Sequence, residues 1–156
     1  MSRKLEDLIP ILAIKAGELQ KATKDVGTDM LITSTWRPFA EQESLYAQGR
    51  TIPGKIVTWA KAGESYHNYG LAFDFAILRD HKVDWNDPEP YFKVGEIGED
   101  MGLEWGGRWP EKKRDMPHLQ MSFGLKIENC LSLYGQGGIQ AVWAWCNRKY
   151  ENGQWP

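Results

Sequence analysis

No charge of one sign dominates this chain: 19 Lys and Arg stand against 21 Asp and Glu, a formal net charge of −2. That balance excludes the global basic field by which a domain holds nucleic acid. Cysteine is scarce, two in 156 residues. Cys130 and Cys146 form no C-x-x-C pair, so nothing demands a thiolate metal site or a stapled scaffold, and one disulfide or two free thiols both remain open. Long apolar runs are missing as well. The stretch Leu8 to Ile14 follows Glu6 and Asp7, contains Pro10 and ends at Lys15, which is too short and wrongly flanked for an export signal. No segment approaches the ~20 apolar residues of a membrane helix. The expectations are no nucleic-acid partner, no membrane insertion and no export address.

What is present describes a folded globule. A hydrophobic fraction of 42% with eight tryptophans separates the chain from disordered ones, and its length suits one domain with a real core. Leu12, Ala16, Leu19 and Ala22 recur at helical spacing from Pro10 to about Lys24, with Pro10 acceptable at a helix start. Met30 to Thr35 reads as a first strand. Phe39 to Gly49 has helical composition and a C-terminal glycine. Arg50 to Glu64, with Pro53, Gly54 and Gly63, is expected to be a long loop, a kind usually functional or disordered. Leu71 to Leu78 is the second strand, His81 to Pro90 a polar turn region, Tyr91 to Met101 a helix ending at Gly102. Leu103 to Trp105 and His118 to Phe123 are short strands around a loop, and Gly138 to Tyr150 is a helix with Ile139, Val142, Trp143 and Cys146 on one face. Short strands with loop-rich joins predict an α+β fold with a small antiparallel sheet and flanking helices.

The chain holds only three histidines, and two of them sit in unusual company. His67 precedes Asp74 by seven residues, and Asp74 lies between Phe73 and Phe75 in a run that otherwise reads as a buried strand. A buried carboxylate survives when it is paired or bound to a metal. His118 follows Pro117 and stands three residues after Asp115. His67, Asp74 and His118 supply two nitrogens and one oxygen, a three-ligand set that leaves the fourth tetrahedral position of Zn²⁺ open. Asp115 is then spare, placed to act as a general acid or base beside the metal. Amide hydrolysis near neutral pH needs an activated water, a sink for oxyanion charge and a proton for the leaving nitrogen, and this set provides all three. His81, between Asp80 and Lys82, reads as a solvated turn residue.

These residues carry a resemblance. Ser65-Tyr66-His67-Asn68-Tyr69-Gly70-Leu71-Ala72-Phe73-Asp74 resembles the S-x-H-x-x-G-x-A-x-D signature of the zinc D-alanyl-D-alanine carboxypeptidase family, and Asp115-Met116-Pro117-His118 resembles its second signature. Ser34 to Thr51 is similar to the segment that precedes the first signature in the L-alanyl-D-glutamate endopeptidases of phage endolysins and bacilli, and Trp105 to Trp109 to the stretch before the second. The resemblance implies one Zn²⁺ held by His67, Asp74 and His118, with Asp115 as general acid/base. It implies that Arg37 lies near the substrate carbonyl, with Gln42 and Ser65 also at the substrate. The implied fold is that shared by these DD-peptidases and hedgehog N-terminal domains.

The expected function is therefore a zinc-dependent peptidoglycan hydrolase acting on stem peptides, an L-alanyl-D-glutamate endopeptidase of the phage or prophage endolysin kind. A D-alanyl-D-alanine carboxypeptidase is the alternative, and a non-catalytic hedgehog-like zinc-binding module the alternative of another class. Trp59, Tyr69, Trp105 and Trp109 are expected groove walls. Residues 1–124 are expected to form the catalytic domain and 125–156 a C-terminal tail, a helix packed on it. A monomer is expected, located in the host bacterial cytoplasm before release to the cell wall.

Overall fold

The computed structural model describes residues 1–155. Helix α1, Pro10–Asp25, is followed by β1, Asp29–Ser34, and α2, Phe39–Ala47; a long irregular segment then leads to a 3-10 turn at Tyr66–Tyr69. Strand β2, Ala72–Arg79, turns directly into β3, Lys82–Asp84, and α3, Glu89–Asp100, precedes β4, Glu104–Trp105, β5, His118–Gln120, and the long α4, Ile127–Glu151. The sheet runs β1-β2-β5-β4, with β3 paired to β2, and every pairing is antiparallel. The expected α+β class, with a small antiparallel sheet and flanking helices, is the observed one.

Strand β2 organises the molecule because it pairs on both sides. Successive side chains of a strand point to opposite faces, so Phe73, Phe75 and Ile77 share one face and Ala72, Asp74 and Ala76 the other. The aromatic face enters the main core with Leu12, Ala16 and Leu19 of α1, Tyr91 and Val94 of α3, and Trp105. The opposite face is narrow, with alanines on either side of Asp74, and carries the functional groups. The core also takes in Cys130, Val142 and Cys146 of α4. Both cysteines are unbridged, and burial pushes both thiols up to about 12.

Two elements depart from the sequence-based expectation. The polar region after β2 contains β3, formed because Asp80 and His81 adopt positive φ of 49° and 61° and fold the chain back at once; both types tolerate that conformation better than most residues. His81 is exposed in this turn. The expected helix from Gly138 is present, but a second helical stretch precedes it from Ile127: Gly137 and Gly138 are non-helical and divide α4 into two helices at a kink.

Candidate metal centre and groove

The site is assembled by strand register. Asp74 pairs with His118 of β5 on one side and with Ser34 of β1 on the other. Directly opposed residues of neighbouring strands point to the same face, so Asp74 and His118 meet there without further help. The ladder between β1 and β2 is irregular between Ile32 and Ser34, which re-aims the chain into the Thr35–Arg37 segment, as bulges beside active sites do.

His67 arrives from the 3-10 turn. Gly70 ends that turn with φ 65°, and a Cβ there would lie 2.7 Å from the backbone oxygen of Asp7. Only glycine meets both conditions at low cost. The amide of Arg37 donates to His67 O at 3.0 Å and the side chain of Asn68 donates to Arg37 O at 2.9 Å, so the segment after β1 is laced to the histidine turn.

Three atoms converge. Nε2 of His67 lies 3.1 Å from Oδ1 of Asp74, Nδ1 of His118 lies 3.1 Å from the same oxygen, and the two nitrogens are 3.3 Å apart. For bonds of about 2.0–2.2 Å, the edge of a zinc tetrahedron is about 3.3–3.6 Å, so this triangle, slightly tighter, has nearly the size the ion requires. The outer ring atoms sharpen the point. Nδ1 of His67 donates to Thr35 O at 2.7 Å, and Nε2 of His118 donates to Gln120 Oε1 at 2.9 Å. Each neutral ring then turns a lone pair toward the carboxylate, and three acceptors with no proton among them call for a cation. The residues therefore fit a metal ion, and fixing the outer ring nitrogen is how metal-binding histidines are ordinarily oriented.

A proton is the competing cation. Burial would push the Asp74 carboxyl up, but the charge of His67 and the hydrogen bonds of both histidines outweigh it and hold Asp74 well below the usual carboxylate range. Burial pulls the His118 imidazolium down, yet Asp74 and, less strongly, Asp115 more than offset this and raise His118 above its usual 6.5. Arg37 backs the centre from behind, with Nη2 3.6 Å from Asp74 Oδ2.

Above this floor opens a groove of about 1010 Å³, lined by His67, Asp74, His118 and Asp115 among others. Asp115 stands at the lip. The residue as a whole is exposed, but desolvation of its carboxyl against the groove wall pushes it up from 3.8, His118 opposes this, and the charge of Asp74 adds to it. Its backbone is fixed by Gly106: the Asp115 amide donates to Gly106 O at 3.0 Å, and a Cβ on Gly106 would lie 2.4 Å from Asp115 O.

The expected substrate residues separate. Ser65 and Arg37 line the groove. Gln42 is wholly buried and outside it, receiving Arg37 Nη1 on its Oε1 at 2.9 Å and donating to Ala60 O at 2.8 Å; it holds Arg37 rather than facing a substrate. Of the four expected walls, Trp59 and Trp109 line the groove. Tyr69 and Trp105 do not, because both belong to the core: Tyr69 donates to Gly63 O at 2.7 Å and Trp105 Nε1 to Met116 O at 2.8 Å. Sequence reasoning missed Trp85, which lines the groove and is exposed, and Thr35 and Gln120 behind the two histidines. The HLQ alternation puts Gln120 on the same strand face as His118 and was the available signal; nothing local marks a backbone carbonyl.

Comparison with known proteins agrees with this geometry. The family model described as D-alanyl-D-alanine carboxypeptidase, in peptidase M15, matches residues 58–121, the span holding His67, Asp74, Asp115 and His118. The chain is 45% identical over 124 residues to the peptidoglycan L-alanyl-D-glutamate endopeptidase CwlK of Bacillus subtilis (strain 168), covering 74% of each protein. Its fold is similar to that of a variant of the vancomycin-resistance D,D-pentapeptidase VanY from a VanB-type cassette in complex with Zn(II), with TM-score 0.56, 20% identity, and 85% of this chain and 82% of that one covered. It is likewise similar to VanYB in complex with D-alanine-D-alanine, with TM-score 0.56, 21% identity, and coverage of 82% and 77%. Catalytic motif, sheet and relatives lead to one assignment: the chain belongs to the D-alanyl-D-alanine carboxypeptidase family of M15 peptidases.

Proposed function

We propose that this protein is a zinc-dependent peptidoglycan hydrolase that cuts the stem peptide between L-alanine and D-glutamate. The observation that carries the chemistry is the convergence of His67 Nε2, Asp74 Oδ1 and His118 Nδ1 within 3.3 Å of one another on the floor of an open groove, with a spare carboxylate, Asp115, on its lip. The choice of bond is supported by the 45% identity to CwlK. His67 Nε2, Asp74 Oδ1 and His118 Nδ1 would hold one zinc ion, which when bound would supply a Lewis acid to polarise a carbonyl and to make water a nucleophile near neutral pH.

The chain's own groups do the rest. Asp115, with its raised pKa, takes the proton of the attacking water and returns it to the departing amine of D-glutamate. The Arg37 guanidinium, held by Gln42 and set against Asp74, places positive charge beside the carbonyl where oxyanion charge develops. Trp59, Trp85 and Trp109 offer flat walls to an extended peptide, and Lys112, Lys113 and Arg114 on the rim attract its carboxylates. A bacteriolytic setting, with the protein held in the host cytoplasm before it reaches the wall, belongs to the same proposal; its support is the likeness of Ser34–Thr51 to a segment shared by the endopeptidases of phage endolysins and of bacilli.

The deciding experiment is mass spectrometry of products from purified peptidoglycan and defined stem peptides, with and without a chelator followed by zinc. A new N-terminal D-glutamyl fragment, lost on chelation and restored by zinc, is expected. Free D-alanine in its place would move the protein to carboxypeptidase chemistry, and no metal-dependent product from any stem would leave a zinc-binding module.

A further inference from the structure

The two histidines of the triad are oriented by unlike partners. His67 donates to a backbone carbonyl, Thr35 O, and a carbonyl can only accept, so the Nδ1–H form of His67 is fixed outright. His118 donates to the side-chain amide of Gln120, and an amide has a donor and an acceptor end of nearly the same shape. Turned over, Gln120 would present NH₂ to His118 Nε2. That nitrogen would then have to accept, and the ring proton would move to Nδ1, 3.1 Å from Asp74 Oδ1. Asp74 welcomes a proton there, so the pull toward the wrong tautomer is built into the triad.

The structure assigns the opposing device to Glu104, which we infer to be a positioning residue that acts through Gln120 to keep His118 Nδ1 free of its proton and turned toward the triad. Glu104 and Gln120 are direct partners across β4 and β5, and their side chains therefore share the face that carries His118 two residues back. Oε2 of Glu104 accepts from Gln120 Nε2 at 3.0 Å. Its Oε1 accepts from the amide of Ser122 at 3.2 Å and from the Ser122 hydroxyl. A carboxylate in that position can only accept, so the Gln120 NH₂ must face it and the Gln120 carbonyl must face His118. Gln120 and Ser122 are buried and Glu104 is half-buried, and Gln120 also lines the groove, so the orientation of its amide is set by the Glu104 contact rather than by exclusion of water. The order Ser122, Glu104, Gln120, His118 thus has a single consistent arrangement of donors and acceptors, ending in a lone pair at Nδ1. Neither Glu104 nor Gln120 touches the converging atoms, and neither belongs to the signature residues of the sequence.

The importance of this relay to the metal rests on the reading of His118 as a ligand; the tautomer itself does not. The test is therefore made twice on the same variants. Nitrogen-15 correlation spectra of metal-free protein in mildly alkaline buffer, where the ring is neutral, report which ring nitrogen of His118 carries the proton. Competition with a chromogenic chelator reports zinc affinity. Wild type is expected as the Nε2–H form; Glu104→Ala and Gln120→Leu are expected to gain the Nδ1–H form and to lose about 10- to 100-fold in zinc affinity, the usual effect of removing an outer partner of a metal-binding histidine. The double swap Glu104→Gln with Gln120→Glu keeps an acceptor facing the ring: the amide now at position 104 donates to the carboxylate now at position 120, and that carboxylate accepts from His118 Nε2. The swap is expected to restore the tautomer and to bring affinity back to within a few-fold, which also shows that the fold tolerates change here. A His118 that stays Nε2–H in both single variants overturns the relay, and so does an affinity loss with unchanged tautomer, since packing alone would then explain it. A His118→Ala variant with full zinc affinity would instead fail the ligand reading, while the tautomer spectra would still decide the relay.

Discussion

Zinc should stabilise the fold by an amount that can be worked out before any activity is measured. The triad holds Asp74 Oδ1, His67 Nε2 and His118 Nδ1 within 3.3 Å of one another, and the unfolded chain does not assemble it. Binding to the native state alone stabilises by RT ln(1 + [L]/Kd), about 4 kcal/mol when free zinc exceeds Kd by ~1,000-fold. A chain of this length gains roughly 2–4 °C in Tm per kcal/mol, so the expected rise is about 8–16 °C. Melting followed by circular dichroism, in chelator and then with zinc, measures it. The pH dependence follows from His118, whose pKa is raised above 6.5. A raised folded-state pKa gives the metal-free protein stability that is full below the unfolded value of 6.5 and is lost as pH rises through the folded value. Zinc needs the deprotonated ring, so its contribution grows over the same window. The zinc-induced rise in Tm should therefore widen as pH increases through and above 6.5. Asp74→Asn and His118→Ala should abolish it. A Tm unchanged by zinc in wild type, or a rise that persists in both variants, would refute the triad as the binding site.

Two further outcomes separate the roles of neighbouring groups. Asp115→Asn should keep the zinc-induced rise in Tm yet lose about 10²- to 10⁴-fold in kcat, the range for one general acid/base; kinetics near wild type would remove Asp115 from the proton transfer. Gly106→Ala places a Cβ 2.4 Å from Asp115 O and 3.2 Å from His118 Cβ, so the loop must shift. A displacement of about 1 Å is enough for roughly 10²-fold in turnover, and a variant that turns over like wild type would show that this backbone contact does not set Asp115.

The parts of the molecule legible from its sequence were those decided by local chemistry. Pro10 opens α1 and Gly102 closes the α3 turn, as caps do, and the apolar run around Asp74 became β2. His67, Asp74 and His118 were recoverable because a carboxylate among phenylalanines demands a reason wherever it lies. What escaped depends on the third dimension. Three-residue β3 has no periodicity to read and exists because Asp80 and His81 turn the chain. Gly137 and Gly138 do break the helix, so the stretch from Ile127 stands apart from the expected one, and Cys130 before the kink and Val142 and Cys146 after it enter the same core. Tyr69 and Trp105 could not be told from Trp59 and Trp109 by type, because an aromatic side chain serves a core or a groove equally well, and only the fold decides which. Gln42 lies in the right stretch for a site residue, but it is buried behind Arg37 and outside the groove.

The floor and the walls of the groove are built from different parts of the fold. The floor groups are buried, with His67 at 3%, His118 at 6% and Arg37 at 8% exposure, and they stand on β2, β5 and the turn laced to β1. Their relative placement is a consequence of strand register. A slip of one residue in β2 would exchange Asp74 for Phe73 or Phe75 and turn the core outward, so selection for a folded sheet also preserves the metal triangle. The walls come from loops: Trp59, 70% exposed, from the segment after α2, Trp85 from the β3–α3 connection, and Trp109 with the Lys112–Arg114 rim from the loop between β4 and β5. Loops accept substitution and insertion at low thermodynamic cost. The converging His67, Asp74 and His118 thus stand on the part of the fold least free to change, and the groove walls on the part most free to change. Exchanging the walls should move the cut along the stem peptide without moving the zinc.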